Sequence, residues 1–78
     1  MQKEIEALLL EIKEQQEEKL LRTGRAFVPT LTTEDVLQPV DYPELEMDPH
    51  FRYEEGVLEG IHTVRAALLA LFKRSGDA

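Results

Sequence analysis

Glu59 and His62 are the residues whose types and spacing come nearest to a chemical motif. Glu59-Gly60-Ile61-His62 spells E-x-x-H, which sets a carboxylate and an imidazole one helical turn apart. Di-iron carboxylate bundles use this spacing, with further glutamates from two other helices. Glu11 or Glu14 would be the available extra acid. Helical phase argues against a metal. With Val57 as the origin and about 100° per residue, the apolar stripe of this segment centres near 30°. Glu59 then falls near 200° and His62 near 140° on the same wheel, whereas bundle ligands must point inward. A second polar cluster, His50, Tyr53, Glu54 and Glu55, opens the same helix. Acid–base work there needs a pocket that moves pKa values toward neutrality, and nothing in the sequence implies one. The cluster reads as a capped helix start with acids near the positive end of the dipole. The chain has no Gly-rich phosphate loop, no G-x-S-x-G and no Ser–His–acid set. With no cysteine and two histidines, thiolate metal sites and disulfides are excluded. The expectation is a non-enzyme with no cofactor and no metal.

The remaining chemistry is recognition. Asp41, Tyr42, Glu44, Leu45, Glu46 and Met47 alternate acids with apolar anchors. Such a strip suits a groove on a basic protein, with the acids steering the encounter. The competing use is that Tyr42, Leu45 and Met47 cover this chain's own helices while the acids face water. The formal net charge is −7, and it is concentrated. Residues 24–51 hold six acids and only Arg25, whereas residues 1–23 hold six acids and four bases and residues 52–78 hold four of each. That field repels phosphate backbones and anionic membranes, so nucleic acid and membrane are not expected as partners. A protein partner is.

These residues need elements to position them. Residues 2–22 predict a helix rich in Glu, Leu, Lys and Gln. Ile5, Leu8, Leu9, Ile12, Gln16 and Leu20 line one face at three- and four-residue spacing. Gly24 is the expected C-terminal stop. The seam is interrupted at Gln15 and Gln16, either of which would set register if buried. Leu10 and Leu21 point away from the main stripe and suggest a second neighbour. Residues 24–48 form a long connection with Pro29, Pro39 and Pro43. Its apolar supply, from Phe27 to Met47, argues for an ordered segment. Short helical turns are expected at Thr33 to Leu37, behind a hydroxyl cap, and at Pro43 to Leu45. A second long helix is expected over residues 49–74, with Asp48 as N-cap and Pro49 in the first turn. Val57, Ile61, Val64, Leu68 and Leu71 recur at coiled-coil spacing. Gly56 and Gly60 thin one strip of this helix and invite a close backbone approach.

The fold expectation is all-α: one domain over residues 1–78, an antiparallel two-helix hairpin with a long ordered connection. A two-helix core is thin, because below about 70–80 residues one core rarely supplies more than about 3–5 kcal/mol. A second copy would complete a four-helix bundle. The expected oligomer interface is Ile5, Leu9 and Ile12 facing Val57, Ile61, Val64, Leu68 and Leu71. The leading functional reading is a self-associating interaction or assembly module, a homodimer or small subunit. The alternative is an acidic inhibitor or chaperone that masks a basic protein through residues 34–48. No stretch reads as a secretory leader or approaches the ~18 apolar residues of a membrane span, so the cytoplasm is the expected location.

Overall fold

The computed structural model describes residues 1–36 and 42–76. Of these, 82% are helical and none is in a strand, so the protein is all-α. The elements are α1 (Gln2–Arg25), α2 (Thr33–Val36), α3 (Pro43–Glu46) and α4 (Pro49–Arg74). Leu37, Pro39, Val40 and Asp41, and with them the expected end of the first short turn, lie outside the described residues.

Capping chemistry sets the element starts. Asp48 accepts a hydrogen bond from the Phe51 amide at 2.7 Å, satisfying one orphan donor at the start of α4. Thr32 and Asp35 cap α2 reciprocally: the Asp35 amide donates to Thr32 Oγ1 at 3.2 Å and the Thr32 amide to Asp35 Oδ2 at 3.0 Å. Gly76, with φ of 79°, follows the end of α4 in the left-handed region.

Gly24 departs from its expected role. Helix α1 does not stop there but continues to Arg25 with Ala26 as C-cap. Gly24 is buried, and a Cβ built on it would sit 2.5 Å from Leu31 Cδ2 and 3.2 Å from Phe51 Cε2. The glycine is therefore where the connection and α4 close on α1. Its lack of a side chain serves packing, not helix termination.

The long helices pack on each other, late α1 against early α4. Gly24 meets Phe51, Gln16 meets Glu54, and Ile12 and Ile61 share one groove. The core is concentrated at one end. Leu20, Leu31, Val36, Leu45, Phe51 and Leu58 form one buried cluster, with Leu21, Val28 and Tyr42 packed against it. The connection thus fills its own helices' end, and Leu21 finds the second neighbour that its phase suggested. Arg25 Nε ties this end down by donating to the Leu31 carbonyl at 2.8 Å. Toward the other end, Phe72 is the one buried large side chain among the described residues.

The result is a long molecule, 45 × 18 × 17 Å, with a radius of gyration of 14.9 Å. A compact chain of this length has about 11.5 Å.

Candidate functional site

The core-facing side of α4 is set by Phe51, Glu54, Leu58 and Phe72, all buried. On the helical wheel this direction lies roughly 50° round from the centre of the apolar stripe. One helix cannot cover so wide a stripe. Helix α1 takes one edge, and the other edge stays open. Val57, Val64 and Leu71, seven residues apart, are 37%, 53% and 48% exposed. On α1, Leu8 and Ile12 are 56% and 38% exposed.

The two open edges lie on one side of the molecule. Ile12, Gln15, Lys19 and Arg22 of α1 and Val57 and Ile61 of α4 line a single open groove of about 510 Å³. None of the described residues of the connection lines it. Helix α2 sits on the opposite side, where Val36 joins Leu20, Leu58, Glu59 and His62 around a small recess. So, among the described residues, one face of the α1/α4 pair is covered at one end by the connection, and the other face has no element over it.

The sequence-predicted interface residues divide accordingly. Ile12, Val57, Val64 and Leu71 are exposed on the bare face. Ile5, Leu9, Ile61 and Leu68 are half-buried where the helices meet. Leu8 and Tyr53 belong to the same open edge by helical phase, and their spacing to Ile12 and Val57 was the signal that would have included them. Among the described residues, no atom lies within 4 Å of where a Cβ on Gly56 or Gly60 would be, so none of them uses the gap these glycines leave.

The acidic strip is only partly a surface. Leu45 is completely buried and Tyr42 is half-buried against the core. Leu45 therefore anchors this chain's own connection and is not presented to a partner. Glu44, Glu46 and Met47 are exposed, and Asp41 lies outside the described residues.

The candidate chemical residues are placed as follows. Glu59 and His62 are exposed, and no group of three or more His, Asp or Glu able to hold a metal occurs among the described residues. Glu54, by contrast, is only 3% exposed. Its Oε2 accepts from Gln16 Nε2 at 2.8 Å, and the same nitrogen reaches the Glu54 backbone carbonyl at 2.9 Å. Lys19 Nζ lies 3.4 Å from the carboxylate and His50 Nε2 3.9 Å. The Gln16 hydrogen bond holds the Glu54 carboxyl below its ordinary value, burial opposes this, and Lys19 and His50 add attraction. The geometry is that of a structural lock between the helices. Gln16, the polar break in the α1 seam, is spent within the chain.

No family model, curated protein or solved structure matches this chain.

Proposed function

We propose that this protein is an interaction and assembly module: an antiparallel two-helix hairpin that associates with itself through its bare face to form a four-helix bundle. The observation that carries this reading is the strip of Leu8, Ile12, Val57, Val64 and Leu71, exposed on one side of the α1/α4 pair. Large apolar side chains gathered exposed on one face mark interaction sites in soluble proteins.

Area supports it. The chain exposes 5560 Å². A compact monomer of 9.0 kDa would expose about 4,850 Å². The excess, about 700 Å², is close to the roughly 800 Å² that each partner of a standard interface buries. The burial of Leu45 and Tyr42 favours this reading over masking of a basic protein through residues 34–48, because two of that strip's anchors are already used.

Light scattering across a dilution series, with parallel thermal melts, tests the proposal. The expected result is a dimer that dissociates on dilution and melts higher at higher concentration, because association stabilises the folded state by mass action. A monomer at every concentration, with a concentration-independent melt, overturns it.

A further inference from the structure

We infer that the open end of the hairpin is a separately opening arm: residues 2–12 of α1 and 61–74 of α4 come apart together while the packed end stays folded, about a hinge at the level of the Gln16–Glu54 lock. The inference concerns the single chain and does not depend on the self-association reading.

Burial divides the chain at that level. Leu20, Leu31, Val36, Leu45, Phe51 and Leu58 form the core of the packed end. Beyond Leu58 along α4, and before Gln16 along α1, Phe72 is the one buried large side chain among the described residues. Ile5, Leu9, Ile61, Leu68 and Leu69 are half-buried there. Among the described residues, every hydrogen bond and ion pair between α1 and α4 ends on Glu54. The arm is therefore held by partial apolar contact, and regions with few buried apolar contacts are the ones that open below the free energy of global unfolding.

The hinge level is weak in both helices. Lys19 meets Glu54, and Ile12 shares a groove with Ile61. Residues 19 and 54 thus lie at one level of the pair, and 12 and 61 at another. Between these levels α1 is entirely polar, over residues 13–19, and α4 carries Gly56 and Gly60. Glycine gives up more backbone entropy in a helix than any other residue, so α4 breaks most readily in this stretch once its neighbour leaves. The open groove of about 510 Å³ lies at the same level, lined by Ile12, Gln15, Gln16, Val57 and Ile61 among others. A polar break, two helix-weakening glycines and an unfilled space coincide just where the core ends, and the Gln16–Glu54 contact is the tie across them. Helices shorter than about 12–15 residues are marginal in water without tertiary packing. The two arms, once apart, therefore lose backbone hydrogen bonds as well as each other.

Native-state amide hydrogen exchange at low denaturant, on the chain at high dilution, tests this. Amides of residues 6–12 and 62–70 are expected to share one opening. Their protection should lie about tenfold or more below that of residues 17–24 and 53–58. Their dependence on denaturant should be weaker, since less surface is exposed. Val36→Ala supplies an independent reading, because it trims the core of the packed end, which is intact in the arm-opened form. The variant should lower protection at residues 17–24 and 53–58 by about tenfold and leave residues 6–12 and 62–70 unchanged. Arm amides that fall together with the core amides, or one protection and one denaturant slope throughout the parent chain, would show a single cooperative unit and overturn the inference. Protection that climbs steadily from each terminus to the lock would show ordinary fraying of helix ends and overturn it as well. Should Val36→Ala fail to fold, the slopes of the parent chain alone decide.

Discussion

At the scale of single residues, Gly24 and Glu54 both do work that their neighbours in sequence do not reveal. Gly24 lies under Leu31, Phe51 and Leu45, all buried to the last few square ångströms. Gly24→Ala should gain up to about 1 kcal/mol in helix propensity and lose about 1–3 kcal/mol to overpacking. The expected net is a loss, read as a melting temperature lower by several degrees. An unchanged or higher melting temperature would sink the packing role. Glu54 makes a pH prediction. Its carboxyl is held below the ordinary value of 4.5 by Gln16 first, with Lys19 and His50 helping against burial. A depressed folded-state value means the carboxylate stabilises the fold above the ordinary value, and this is lost as pH falls through the lowered one. Asp35, also lowered by its Thr32 hydrogen bonds, adds in the same direction. Acid unfolding followed by circular dichroism should therefore steepen below about pH 4.5. Glu54→Gln should be less stable at neutral pH and should flatten that acid step. A variant with the same acid profile as the parent would remove Glu54 from the account.

At the scale of the element, α4 is a helix with more apolar width than one neighbour can cover. Its inner edge, through Phe51, Leu58 and Phe72, is satisfied by its own chain, and its outer edge, through Val57, Val64 and Leu71, is not. Gly60 sits beside that outer edge with no described atom within 4 Å of where its Cβ would be. Gly60→Ala should stabilise the isolated chain by about 0.5–1 kcal/mol, seen in melts at high dilution. If the proposed self-association runs through this edge, the same change should weaken it, since the methyl fills the open space beside Val57 and Val64. A variant that gains stability and keeps its dissociation constant would argue that nothing packs at Gly60.

At the scale of the whole molecule, the division is between a packed end and an open one. Six of the buried apolar residues cluster where the connection folds over the helices, and the far end holds Phe72. Association and folding are therefore separable by mutation. Val64→Asp places a charge at a position 53% exposed in the single chain, so the fold should survive at low concentration. In the dimer the same charge would be buried without a partner, which is costly, and the dimer should disappear. Loss of helicity in the dilute variant would show that Val64 supports the fold itself. Ile61→Asp or Leu68→Asp, at half-buried positions, should cost both folding and association.

Sequence alone determined the all-α class, because heptad-like spacing, helix formers and cap residues are local signals read within one turn. Asp48 before Pro49, and Thr32 with Asp35, specify helix starts through hydrogen bonds that span three residues. The sequence also marked Val57, Val64 and Leu71 as one heptad-spaced row, since periodicity survives whatever the neighbours are, and the structure leaves all three exposed. It could not say which edge of a wide stripe is used within the chain. That choice depends on where α1 lands, fixed by the Gly24 contact and the Gln16–Glu54 lock, both between residues far apart in the chain. Nor could it divide the acidic strip into a buried Leu45 and an exposed Met47, because alternation marks an anchor without saying whose groove it fills. Composition and spacing are properties of segments. Which apolar residue is covered, and which is left exposed, is a property of the packed whole.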